Sequence, residues 1–425
     1  MRHTHLARAL LAALSLAPAL AFAITDDEVN TGVQFNFSNP GARSLALGGA
    51  FTGLADDATA TYANPAGLTI LRTQEFGMEV RSTGFDTPFP SGGTVSNNPF
   101  NTGNVGTGRA SDTVTRPTFA SWVIPTERAT FALFYHRVGD LETDFDGAPI
   151  EFVNSNGQGT DEALAKSTRL DYSVENIGAS VGYKVSDTFS LGLSVAYSDF
   201  SIDSYTVRFF DGDPLNEQRQ DGSDHDIVYT LGALWNINPQ WNLGLAYRTG
   251  GDFDYRASNR LVESGATLDL EPEFAVPNVF SLGLAYRPSD ALLFTLDVNR
   301  VEYSRLSDGI DSVFARTQTP LSIDDATEIH LGVEYAFLEM ATPMFLRGGL
   351  WRDPDHRLAF DGQTPANCTP GTFDDCLAAV LYPEGDDEMH YSVGLGWSFQ
   401  KFQLDLAADL SDLVDTYSVS GVVRF

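Results

Sequence analysis

From about Thr73 onward, hydrophobic and polar positions alternate with a period of two, interrupted by turns. That is the habit of β-strands with two unlike faces. Phe189, Leu191, Leu193, Val195 and Tyr197 alternate with Ser190, Gly192, Ser194, Ala196 and Ser198. Trp241, Leu243, Leu245 and Tyr247 do the same, as do Phe402, Leu404, Leu406 and Ala408. The pattern predicts fourteen strands, near 73–85, 115–125, 128–141, 168–185, 188–209, 224–237, 241–258, 273–288, 291–305, 323–337, 343–352, 387–399, 401–411 and 414–425. A soluble sandwich alternates too, but with shorter strands. Many of these exceed ten residues, as a tilted membrane-crossing strand requires.

The connections sort into two kinds. Short turns fall at 185–187, 238–240, 288–290, 338–342 and near 400, with longer polar connections at 86–114, 142–167, 210–223, 259–272, 306–322 and 353–386. Short turns on one side and long loops on the other predict an all-β fold, a transmembrane antiparallel β-barrel of about fourteen strands. A repeat marks the approach to each short turn: 177–181, Leu231-Gly232-Ala233-Leu234-Trp235, Leu282-Gly283-Leu284-Ala285-Tyr286, 331–335 and 393–397. Its aromatic residue would sit in an interfacial girdle. Tyr417, Val419, Gly421, Val423 and Phe425 occupy alternate positions of the last strand. A terminal aromatic on such a strand resembles the signal read by the barrel assembly machinery, an expected partner.

The ends and the composition fit that picture. Arg2 and Arg8, an apolar run over 9–20 and Ala21-Phe22-Ala23 predict a signal peptide over 1–23. Beyond it the longest apolar run is Cys376 to Tyr382, so no helix is expected to span a membrane. Acids outnumber bases by 57 to 26, a net charge of −31, and losing Arg2 and Arg8 takes it to −33. Such a field repels phosphate backbones, which excludes a nucleic-acid partner. It must lie in the lumen and outer loops, because charge facing lipid is costly. Lipopolysaccharide and outer-membrane lipid are the expected surroundings. Cys368 and Cys376, eight apart in a Pro/Gly/Asp-rich stretch, are read as a loop disulfide in an exported chain.

Residues 24–72 break the strand habit. Glycine, alanine and Asn-Pro suit compact helical turns, so this segment is expected inside the barrel of 73–425 as an N-terminal plug, or hatch. Here the chain resembles the FadL/TodX family of outer-membrane transporters for long-chain fatty acids and other hydrophobic compounds. The shared words are Ala-Arg-Ser-Leu-x-x-Gly-Gly-Ala (42–50), Ala-Asp-Asp-Ala (55–58) and Asn64-Pro65-Ala66-Gly67. The resemblance implies a fourteen-stranded barrel with a hatch, and sideways release of ligand through a gap at a kinked wall strand. It carries the family's Asn-Pro-Ala hatch motif onto Asn64, Pro65 and Ala66. Outer stretches 210–223 and 259–272 are short and acidic here, where the family has long apolar loops.

Passive uptake of a hydrophobic small molecule is therefore the expected function. Phe35, Phe37, Leu45, Leu47, Phe51 and Leu54 are the candidate hatch lining of an apolar pocket, with packing against the wall as the alternative. Gly48 and Gly49 are the candidate hinge. Arg43, Arg248 and Arg300 are candidates to grip a carboxylate, with pairing to lumen acids as the alternative. Glu328, His330 and Glu334 share one face of the tenth strand, a hydrogen-bonded network before a metal site. The acids of 353–356 and 384–388 could bind Ca²⁺, with solvated loop charge the default. No catalytic set, metal or cofactor is expected. The rival readings are a general diffusion porin, an outer-membrane lipid hydrolase and a secretion-associated barrel.

Overall fold

The computed structural model describes residues 37–98, 101–153, 160–307, 321–363, 378–379 and 382–425. The expected leader, Phe35, Cys368 and Cys376 lie outside the described residues.

The wall begins with β1 (Glu75–Asn98), β2 (Asn101–Pro125), β3 (Ala129–Gly147), β4 (Ile150–Val153), β5 (Thr160–Lys184), β6 (Phe189–Phe210) and β7 (Asp213–Asn238). Six short segments follow: β8 (Trp241–Arg248), β9 (Asp252–Asp254), β10 (Arg256–Leu261), β11 (Thr267–Leu270), β12 (Glu273–Ala275) and the longer β13 (Val279–Ser289). The remainder is β14 (Leu292–Val301), β15 (Leu321–Ser322), β16 (Ala326–Phe337), β17 (Met344–Asp353), β18 (Ala359–Phe360), β19 (Glu388–Ser398), β20 (Phe402–Leu410) and β21 (Val414–Arg424). β8 to β10 are pieces of one wall strand, and β11 to β13 pieces of the next: β8 and β10 both pair with β7, while β13 pairs with β8 and β11 with β10. β4, β15 and β18 lie outside the count, leaving fourteen antiparallel wall strands. β1 closes the barrel on β21, from Glu75 opposite Arg424 to Phe85 opposite Val414.

The two faces have reversed polarity. Leu133, Ile177 and Tyr391 point outward with 64%, 63% and 63% exposure, amid a band of exposed Leu, Ile, Val and aromatic side chains. Water would not tolerate so continuous an apolar belt, whereas lipid does. Tyr183, Trp235, Tyr335 and Phe399 face out near the short turns. Inward lie buried Glu79, Asp297, Glu328, His330, Glu334, Arg347, Asp405 and Asp409, where part of the acidic surplus resides.

Three expected loops are largely strand. β1 and β2 stay paired out to Asn98 and Asn101, across much of 86–114, and β3 and β5 stay paired to Gly147 and Lys166. β6 and β7 meet at Asp211-Gly212, both with positive φ (48° and 80°), the two-residue hairpin turn. Apolar alternation ends where the strands leave the lipid. The hydrogen-bond ladder does not, because both faces of a projecting strand may be polar.

One ladder is cut short. β2 and β3 pair only from Phe119 opposite His136 to Pro125 opposite Thr130, although both strands run on outward. Both are irregular there: the β1–β2 register slips opposite Phe119 and Pro117, and the β3–β5 register between Arg137 and Gly139. Pro117 has no N–H to donate, so a ladder is readily interrupted at it.

Residues 37–72 fill the lumen toward the short-turn side. They comprise α1 (Ala42–Ala46), α2 (Ala60–Ala63) and a 3-10 turn (Pro65–Ile70). Beyond them, the outer half of the lumen holds an apolar cluster that includes Phe200, Phe253, Tyr255, Val279 and Tyr303.

Candidate binding cavity at the outer face of the hatch

The hatch sits against the wall at glycines. A Cβ on Gly192 would lie 2.2 Å from the Pro65 carbonyl carbon, and on Gly232 2.2 Å from Asn64 Oδ1. On Gly244 it would lie 2.1 Å from the Thr52 carbonyl oxygen, and on Gly349 2.1 Å from the Gly48 nitrogen. Gly283, Gly332 and Gly394 press on Gly53, Leu47 and Ala46 in the same way. Four of these, Gly232, Gly283, Gly332 and Gly394, are the glycines of the repeat read as a turn marker. Their reason is contact with the hatch: each strand gives up a side chain where the hatch touches it. Gly178, at the same place in the first copy, packs instead within the wall on Val195 and Phe134.

Polar wall groups then fasten the hatch's free backbone. Asp297 accepts from the Phe51 and Thr52 N–H groups at 2.8 and 2.7 Å, and Glu79 from Gly41 N–H at 2.9 Å. Asn64 donates to the carbonyls of Thr52 (2.9 Å) and Ala233 of β7 (3.1 Å), while its own oxygen accepts from Ala66 N–H. Arg43 joins Asp56 and Glu334, and Glu334 also accepts from Arg347, which reaches Asp405 at 2.6 Å. His330 Nδ1 lies 2.6 Å from the Gly48 carbonyl oxygen, and its Nε2 lies 3.0 Å from a Glu328 carboxylate oxygen.

Above this floor the lumen opens into a cavity, about 630 Å³ of space when the part open to solvent is counted. Its rings are Phe37, Tyr303, His330 and Trp351, and its polar groups include Asn299, Glu328 and Arg248. Trp351 stacks between His330 (4.9 Å) and His390 (3.8 Å). A second space, about 320 Å³ when the part open to solvent is counted, shares Phe37, Arg248 and Val279 and continues past Tyr62, Val174, Asn176 and Val228 to Val138. Val138 is the bulged residue just beyond the last β2–β3 pair. The Arg248 guanidinium lies 3.9 Å from the Tyr62 ring centroid and has no carboxylate partner among the described residues.

Toward the outside, His356 stacks on Tyr303 at 3.9 Å, with Asp353 3.4 Å from its Nδ1. Burial opposes its charge, but Asp353, the Pro354 carbonyl and Glu328 outweigh it and lift the pKa to about 9. A raised folded pKa stabilises the fold fully below the unfolded value, roughly 6.5. That contribution falls away as pH rises through 9. The melting temperature in detergent should therefore drop between pH 6 and 10 in the native protein, and less in His356→Gln.

The profile of the family described as "Outer membrane protein transport protein (OMPP1/FadL/TodX)" matches residues 21–416. The chain belongs to that family. It is an outer-membrane β-barrel, and its relatives transport hydrophobic compounds. No curated protein matches the chain significantly. Among solved structures it is similar to a Pseudomonas aeruginosa FadL homologue, at 15% identity and a TM-score of 0.64, covering 93% of this chain and 100% of that one. The Ralstonia pickettii toluene transporter TbuX is 18% identical, at a TM-score of 0.56 over 92% and 100% of the two chains. The Pseudomonas putida toluene transporter TodX is 14% identical, at 0.54 over 92% and 98%. At such identities the likeness carries the fold.

Within this FadL/TodX barrel the hatch candidates divide. Phe37 and Leu45 line the larger cavity, and so do Gly48 and Gly49, which both have positive φ (64° and 78°). Leu47, Phe51 and Leu54 do not line it. They are buried against Ala285, Leu293 and the hatch's own alanines, because α1 and the following turn direct them at the wall. Asn64, Pro65 and Ala66 seat the hatch on β6 and β7. Arg43 is taken up by acids, and Arg300 pairs with Asp325 near the outer rim, so Arg248 alone of the three arginines faces the cavity. Glu328 and His330 do pair, but Glu334 turns to Arg43 and Arg347. Asp355 and Asp387, two of the loop acids weighed as Ca²⁺ ligands against a default of solvated loop charge, are engaged by Arg357 and Arg352. Sequence reasoning missed Asn176, Asn299, Tyr303 and Trp351. Strand parity could have placed Asn299 on the inward face with Glu328, which it opposes in the ladder.

Proposed function

We propose that this protein takes up hydrophobic compounds passively: they enter from the outer side, rest in the cavity over the hatch, and leave sideways between β2 and β3. The observation that carries this reading is the alignment of the smaller cavity with the end of the β2–β3 ladder at Val138. The hatch blocks the straight route, since its backbone contacts the wall at a series of glycines. The apolar outer cluster supplies a path that competes with water at about 25 cal/mol per Å² of apolar surface buried. Hydrocarbons such as those carried by the toluene transporters are the kind of ligand that the ring-lined space would hold. Residues 24–36, the start of the expected hatch, lie outside the described residues.

The seam can be tested by locking it. Thr143 of β3 donates to Asp112 of β2 at 2.5 Å across it, so Asp112→Cys with Thr143→Cys, in a Cys368→Ser, Cys376→Ser background, brings two thiols together. Oxidation should abolish uptake of radiolabelled toluene or oleate by cells, and reduction should restore it. Equal uptake in the oxidised and reduced forms would rule out exit through this seam.

A further inference from the structure

Two asparagines stand along the cavities with the same unusual feature. Asn299, 9% exposed on β14, lines the larger space, and Asn176, 7% exposed on β5, lines the smaller. The side-chain oxygen of each is buried and accepts no hydrogen bond among the described residues. Buried carbonyls of this kind are ordinarily satisfied, and an apolar ligand lying against them leaves them unsatisfied. Bordering both cavities is the Arg248 guanidinium, a donor with no carboxylate partner among the described residues.

Resting on the uptake reading above, we infer that the cavity selects hydroxylated aromatic compounds, phenols in chemical class, over the parent hydrocarbons and over carboxylic acids. A phenol hydroxyl both donates and accepts. It can give its proton to an asparagine oxygen while its own oxygen accepts from Arg248. A hydrocarbon can do neither. A carboxylate has no proton to give, and in the larger cavity it meets the buried carboxylate of Glu328. Glu328 itself is held by Tyr303 Oη at 3.2 Å and His330 Nε2 at 3.0 Å, which leaves Asn299 as the unfilled acceptor. The ring finds flat partners in Phe37, Tyr303 and Trp351. A site built to hydrogen-bond a hydroxyl discriminates through the polar group left unpaired when the hydroxyl is missing. The second asparagine offers a further station beside Val138, so the preference applies along the route and not only at its start.

p-Cresol and p-xylene have nearly the same shape and differ in one hydroxyl for one methyl. Equilibrium dialysis of the full-length protein in nanodiscs, corrected with empty nanodiscs, should show p-cresol bound about tenfold more tightly than p-xylene, the worth of one good hydrogen bond. p-Toluate should bind less well than p-cresol. Asn299→Leu should bring the cresol-to-xylene ratio close to one by weakening cresol alone, with the barrel confirmed by its heat-modifiable migration. Equal affinities in the native protein, or tighter p-toluate, overturn the inference while leaving hydrophobic uptake in place. A ratio unmoved by both Asn299→Leu and Asn176→Leu also overturns it. Binding of none of the three compounds by the folded barrel removes the uptake reading and this inference together.

Discussion

Gly192→Leu is expected to turn a closed barrel into an open one. The Cβ alone would stand 2.2 Å from both the Pro65 carbonyl carbon and the Ala66 nitrogen, and backbone cannot rotate away as a side chain can. The wall should survive: Gly192 is paired on both sides, with Gly182 and Gly232, through main-chain bonds that leucine keeps. Leucine also suits a strand better than glycine does. The strain, about 1–3 kcal/mol for overpacking and more where backbone blocks relief, therefore falls on the seating of Asn64, Pro65 and Ala66. The hatch should lift from β6 and β7, and planar bilayers should pass a steady ion current where the native protein passes little. Gly178→Leu is the control, since that glycine meets β6 and Phe134 rather than the hatch. A Gly192→Leu barrel that folds and stays closed would show that glycine contact does not hold the hatch.

These contrasts show which parts of the molecule are legible in its sequence. Strand number and parity are readable because lipid demands an apolar outer face and the pleat repeats every two residues. Outside the lipid that demand lapses, which is why 210–223 reads as a loop although β6 and β7 run through it with only Asp211-Gly212 between them. The glycine repeat is visible as a pattern, but its cause is a partner some hundred residues or more away in the chain. At Gly349, outside the repeat, a side chain is likewise lacking because the hatch backbone at Gly48 occupies that space. The site is less legible still. Leu45 faces the cavity while Leu47, two residues on, packs into the wall, a difference set by the turn after α1 and not by residue type. Asn176 and Asn299 look like ordinary inward polar positions in the sequence, which does not show that their oxygens lack a partner among the described residues.

Neutralising Glu334 should produce a large loss of stability. Glu334 is 4% exposed and lies between two guanidiniums, accepting from Arg347 at 2.7 Å and from Arg43 at 3.1 Å. In Glu334→Gln the two cations would face each other in a buried place with one carboxylate fewer. Breaking such a pair from one side costs about 3–5 kcal/mol, because the charge left behind is dehydrated and unpaired. Arg347 would keep Asp405, and Arg43 would keep Asp56, so the loss should sit toward the lower end of that range. The arrangement also links two structures: Arg43 belongs to α1 of the hatch, whereas Glu334 and Arg347 belong to β16 and β17. Removing the hatch cation as well should therefore recover part of the loss. In urea unfolding, Glu334→Gln with Arg43→Met should be more stable than the sum of the single changes by about 1–3 kcal/mol, the coupling expected within one ionic network. Strict additivity would mean that Arg43 is held by Asp56 and Asp57 alone and that the hatch is not pinned to β16 by charge.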